Sequence, residues 1–259
     1  MTWFRIICLC LCLGLALIPE AVAHPEDEFC TADGGMDPAL CRALQEMDRR
    51  SDDPSGSQFM ATETIDFDRP VLETFALYIE IGIRHILPGG LDHILFVLAI
   101  FFSTRKLRAL LIQISAFTVA HTITLGMVAS GVFAPPASIV EPLIAATIAF
   151  VAIENLVFKE MTRWRPFIVF GFGLIHGMGF AGFFGSLGLP EGQFWSALIG
   201  FNIGVEVGQL SVVALAALLV WRLRHRVSEP LYRAALVWPA SGLIGLIGAY
   251  WAFERVFLA

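Results

Sequence analysis

The chain has 259 residues, 57% hydrophobic and 15% charged, with a mean hydropathy of +0.73 and a formal net charge of −6. Ordinary soluble domains carry about a quarter of their residues as charges, so this composition excludes one and points to a chain whose apolar surface faces lipid. No nucleic-acid partner is expected of so acidic a sequence.

Residues 1–23 read as a secretory signal. Arg5 precedes an apolar run from Ile6 to Ile18, and Ala21-Val22-Ala23 supplies the small-x-small pattern of a cleavage site. The mature chain would then begin at His24, with an uncleaved anchor as the alternative. Cys8, Cys10 and Cys12 lie in that signal, which leaves Cys30 and Cys41 in the next segment, where an oxidising compartment favours a disulfide over two free thiols. Segment 24–70 is polar and rich in Asp and Glu, with a loop at Ser51-Asp52-Asp53-Pro54-Ser55-Gly56. Its charge either concentrates cations near a membrane or keeps a linker soluble.

Five later runs are long and apolar enough to span: Ala109–Gly131, Ser138–Phe158, Pro166–Leu187, Phe194–Trp221 and Ala234–Phe257. Leu91–Ser103 reaches that length only with the turn Pro88-Gly89-Gly90 inside the membrane or at its edge. Basic residues cluster in alternate loops, at Arg105, Lys106 and Arg108, at Lys159, Arg163 and Arg165, and at Arg222, Arg224, Arg226 and Arg233. Six spans within 88–259 put all three loops in the cytoplasm of a bacterial inner membrane and both mature termini on the periplasmic side. A seventh span across 71–87 would put them outside. That segment carries Glu73, Glu80, Arg84 and His85 and is therefore expected as an amphipathic or half-inserted helix on the outer face. The fold class is an all-α membrane protein of six transmembrane helices.

Ionisable groups inside a bilayer cost at least about 2.5–3.5 kcal/mol at a helix centre and normally face a partner, a cavity or an ion. On the expected topology, His85, Asp92 and His93 form an outer mouth, while His121, His176 and Glu206 lie roughly 15–18 Å in, on three different helices. Asn202 stacks one turn above Glu206 and Gln209 lies one turn below it. Glu141 opens its span near the outer side and Glu154 closes it near the inner side. Imidazole suits nickel, zinc, copper and cobalt, and carboxylate or amide oxygens are weaker, exchangeable ligands, a mixture suited to passing an ion on. For any single residue a structural hydrogen bond between helices competes with the metal-binding reading. Glycines at 171, 173, 177, 179, 182, 185 and 188, and the ladder Gly200, Gly204 and Gly208, let helices approach closely.

Six blocks then carry a resemblance. Gly90-Leu-Asp-His-Ile-Leu-Phe-Val-Leu, Ala116-Phe-Thr-Val-Ala-His-Thr-Ile-Thr-Leu, Glu141-Pro-Leu-Ile-Ala, Ala152-Ile-Glu-Asn, Phe172-Gly-Leu-Ile-His-Gly-Met-Gly-Phe-Ala-Gly and Gly200-Phe-Asn-Ile-Gly-Val-Glu-Val-Gly-Gln occur in order and resemble the HupE/UreJ family of membrane proteins. The resemblance implies a signal-bearing, six-span protein associated with nickel uptake for hydrogenase and urease maturation. It also implies a His-x5-Asp-His signature on His85, Asp92 and His93, which this chain spaces one residue wider, as His-x6-Asp-His. On a continuous helix one residue is a rotation of about 100°.

Two functions are compatible with these residues. The first is a transition-metal permease, with Ni²⁺ as substrate, moving the ion inward along His85, Asp92, His93, His121, His176, Asn202 and Glu206, with Glu141, Glu154 and Gln209 in secondary roles. The second is an intramembrane zinc hydrolase acting on a lipid or membrane peptide, with Glu206 or Glu154 as base. A second copy of the chain or a metalloenzyme-maturation partner is a possible associate in either case.

Overall fold

The computed structural model describes residues 70–133, 135–158, 161–179 and 192–258, with the side chains of 222–225 set aside. All of them belong to one compact unit, Phe67–Ala259. The expected signal peptide and the Cys30–Cys41 pair lie outside the described residues, as do Gly182, Gly185 and Gly188.

Seven helices and no strand occur among the described residues: α1 (Val71–Ile86), α2 (Leu91–Ser103), α3 (Leu107–Ala129), α4 (Ala137–Val157), α5 (Arg165–Gly179), α6 (Phe194–Arg226) and α7 (Glu229–Phe257). Their ends follow local chemistry. Pro70 stands at the cap of α1, and the residue before Pro88 is pushed to extended backbone, so α1 stops at Ile86. Gly131, at φ +77°, ends α3 with its amide bonded to the Val128 carbonyl. Pro136 leads into α4. Near the start of α7 a single π-helical stretch, Arg233–Val237, precedes Trp238-Pro239, where a ring without an N–H is accommodated.

Helices α3, α4, α7 and the Phe194–Trp221 part of α6 are each long and apolar enough to cross a membrane. Helices α1 and α2 pass the same test only as a pair, bent by 73° at their four-residue junction. The burial pattern is that of a protein in lipid. Leu218, Leu219, Phe167, Trp195 and Leu246 are more than two-thirds exposed, whereas Gln113, His121, His176, Asn202 and Gln209 are buried.

Small residues draw the helices into three close pairs. Helix α1 lies parallel to α6, with Phe75 beside Gly200, Ile79 beside Gly204 and Ile86 beside Gly208. A Cβ on Gly204 would collide with the Ile79 carbonyl oxygen, and one on Gly82 with that of Phe201. Helix α3 runs parallel to α5, where Gly173 abuts Phe117 and Gly177 abuts His121 and Thr124. Helix α7 is antiparallel to α4, with Gly248 against Ala145 and Ala149 and Gly245 against Ala152. Lipid supplies no hydrophobic drive between helices, so such close backbone packing is what holds them together.

The segment 71–87, expected as an amphipathic or half-inserted helix, is helical over Val71–Ile86. Ile81, Gly82, Ile86, Tyr78 and Thr74 form one buried stripe along α1, seated lengthwise on α6. On the same helix Arg84 donates to Glu80 one turn away at 2.8 Å.

Candidate metal centre

The α1–α2 break brings two histidines together. His85 ends α1, His93 sits in the first turn of α2, and their ring centroids are 4.7 Å apart. His121 of α3 lies 6.4 Å from His85 and 5.9 Å from His93, and His176 of α5 lies 5.1 Å from His93. Four imidazoles from four helices thus form one cluster. One ring nitrogen each from His85, His93 and His121 falls within 4.8 Å of the others, close enough to share an ion.

Neighbours set the tautomers of two of these rings. Asn202 donates its amide N–H to the Leu198 carbonyl at 2.8 Å, which turns Oδ1 toward His121 Nδ1 at 2.9 Å. Nδ1 of His121 must then be the donor, and Nε2 keeps its lone pair. The Thr147 hydroxyl donates to Ile144 O at 2.7 Å and so accepts from His176 Nε2 at 2.8 Å, which leaves the lone pair on Nδ1. His121 Nε2, His176 Nδ1 and His93 Nε2 are buried with no hydrogen-bond partner among the described residues. Buried polar atoms without partners are uncommon, and lone pairs oriented by a second hydrogen bond are how proteins present imidazole to a metal.

The walls are aromatic. Phe96 lies 5.0 Å from His176, Phe117 5.1 Å from His176 and 5.8 Å from His93, and Phe201 5.5 Å from His85. All three phenylalanines are fully buried. A dry box of nitrogen donors is a poor host for hard, oxygen-seeking cations and a good one for nickel, zinc, copper or cobalt.

The acidic candidates are elsewhere. Asp92 is held in a two-pronged bond by Arg255 of α7, at 2.9 and 3.2 Å. Arg255 also donates to the Glu141 main-chain oxygen at 3.2 Å, so Glu141 contributes its backbone there. Glu206 accepts from Ser115 at 2.8 Å on the half-exposed α3–α6 seam, and Gln209 accepts from Thr118 at 3.3 Å. Glu154 pairs with Arg165 at 3.2 Å, both side chains nearly fully buried. Around that pair Asn155 accepts from Arg165 and donates to the Ala99 carbonyl, and Arg233 caps the Asn155 and Phe158 carbonyls.

Sequence reasoning separated His85 and His93, as a mouth, from a deeper centre, whereas the structure merges them with His121 and His176 and leaves Glu206 out. The turn at residues 87–90 separates His85 and Asp92 onto two helices, so the 100° argument, which holds on a continuous helix, does not apply. Thr147, Arg255 and the three phenylalanines carried no signal of their own. Thr147 and Arg255 reach the site only through tertiary packing.

A family described as HupE / UreJ protein matches residues 61–255. Comparison with curated proteins and with solved structures gave no match.

Proposed function

The chain belongs to the HupE / UreJ family, and on that premise we propose that it is a permease carrying a divalent transition metal, nickel, inward across the bacterial inner membrane. The observation that carries this reading is the convergence of His85, His93, His121 and His176, three of them with buried, partnerless ring nitrogens. Asn202 and Thr147 act as the orienting groups.

The topology that suits this role takes α1 and α2 as one broken span. Helix α1 descends beside α6 from the outer side, the turn at Leu87–Gly90 lies at mid-depth, and α2 completes the crossing. With α3 to α7 this gives six spans and keeps the basic loops inside. Two contacts support a common side for those loops: Arg105 bonds Glu229 at 2.6 Å, and Arg233 reaches the Phe158 carbonyl at 3.0 Å. Interrupted helices at mid-membrane are a recurring way to build an ion site, because the carbonyl end of a half-helix favours a cation. Here the C-terminal end of α1 bears His85.

Inward movement of a dication is favoured by about 4.6 kcal/mol per 100 mV, so no nucleotide-driven engine is required. The hydrolase alternative gains no support from the described residues, where Glu154 pairs with Arg165, Glu206 accepts from Ser115, and neither joins the histidine group. The test is Ni²⁺ uptake by the purified chain in liposomes under an inside-negative potential. Wild type should accumulate Ni²⁺, and His93→Ala and His176→Ala should each lower uptake at least about tenfold. Equal uptake by wild type and variants would overturn the proposal. About one equivalent of zinc retained through dialysis, with no uptake, would favour the hydrolase.

A further inference from the structure

We propose that Arg255 sets the metal selectivity of the histidine centre, by holding the Asp92 carboxylate out of it. Asp92 precedes His93 in the first turn of α2 and is the acidic residue nearest that ligand in sequence. A free carboxylate at this position would add a hard oxygen donor to a set of imidazoles. Both its oxygens are instead taken by the two Arg255 amino groups, at 2.9 and 3.2 Å. The guanidinium is itself held on three sides, by Asp92, by the Glu141 carbonyl at 3.2 Å and by the Trp251 ring 5.5 Å away. Planar, bidentate and permanently charged, it fits this role as lysine would not.

Two consequences follow for the ion. Carboxylate and water ligands suit magnesium, calcium and manganese, while imidazole suits nickel, copper and zinc, so withdrawing Asp92 removes an oxygen donor that would admit the first group. Pairing with Arg255 also cancels the Asp92 charge, so the centre lacks a neighbouring anion that would hold any dication more tightly, and a carrier needs a site loose enough to release its cargo. Arg255 is thus a positioning residue that acts on the centre through Asp92 without ligating.

This inference rests on the metal-centre reading above, and calorimetric titration with Ni²⁺ and with Mn²⁺ separates the two. If wild type binds no Ni²⁺, that reading fails and the selectivity role falls with it. Given wild-type Ni²⁺ binding, Arg255→Gln should bind Ni²⁺ at least about tenfold more tightly and acquire measurable Mn²⁺ binding. Unchanged or weaker Ni²⁺ binding, or no gain of Mn²⁺, overturns the proposal. If R255Q does not fold, Asp92→Asn carries the test. The unscreened guanidinium should weaken Ni²⁺ binding about tenfold or more, and D92N/R255Q, with a neutral pair, should restore it without Mn²⁺ binding. A double variant as weak as D92N would mean that Asp92 is itself a ligand, contrary to the proposal.

Discussion

At the scale of single residues, the centre depends on second partners. Asn202 commits its amide nitrogen to Leu198 and so dictates which nitrogen of His121 is basic. Replacing it with Leu, similar in size, removes that control. We expect Ni²⁺ affinity to fall about 10–100-fold in a calorimetric titration while helix content is retained. Thr147→Val should act on His176 in the same way, losing the hydroxyl but little volume. The Glu154–Arg165 pair has a different consequence. Removing one partner strands a buried charge, so Glu154→Gln should destabilise the detergent-solubilised protein by about 3–5 kcal/mol in a thermal or denaturant scan. A shift under 1 kcal/mol would show that the pair is not dry.

The secondary elements carry the site through their contacts. Helix α1 brings His85 to the cluster only because glycine lines the facing stripe of α6. Gly204→Leu should push α1 off its seat and weaken Ni²⁺ binding more than tenfold, since a side chain there meets the Ile79 backbone. Gly242→Leu on α7, where a Cβ would meet nothing within 4 Å, is the matched control and should leave binding unchanged. Much at this scale was legible beforehand. The apolar runs located α3, α4, α6 and α7, and the four-residue glycine ladder announced a close helix contact. Asn202 and Glu206, one turn apart, were correctly set on one stretch of α6, yet the finer question of which of them meets His121 depends on how α3 lies across α6. Helical periodicity says nothing about that. Pro88-Gly89-Gly90 marked the break between α1 and α2, and the i, i+4 spacing announced the Glu80–Arg84 pair, but how closely 71–87 seats on α6 depends on tertiary packing.

For the molecule as a whole, the proposed orientation can be read from its surface. In a chain otherwise free of cysteine, Cys placed at Thr104 should be shielded from a membrane-impermeant maleimide applied to intact cells, and Cys placed at Ser130 should be labelled. The reverse pattern would overturn the orientation argued above. The same rule of inside-out polarity explains why the histidines were visible in sequence and their aromatic walls were not. A buried imidazole is an anomaly in an apolar helix, whereas Phe96, Phe117 and Phe201 look like any other lipid-facing residue until the fold turns them inward.

The parallel stacking of α1 on α6 has a consequence for how the chain is made. The first of the described helices finds its seat on a helix that begins more than a hundred residues later, and His121 receives its orienting amide from that same late element. A nascent chain halted before Phe194 holds His85, His93, His121 and His176 but has neither the groove that seats the first nor the Asn202 that orients the third. On the proposed reading, competence to hold the ion would come late in biosynthesis, once α6 has been inserted.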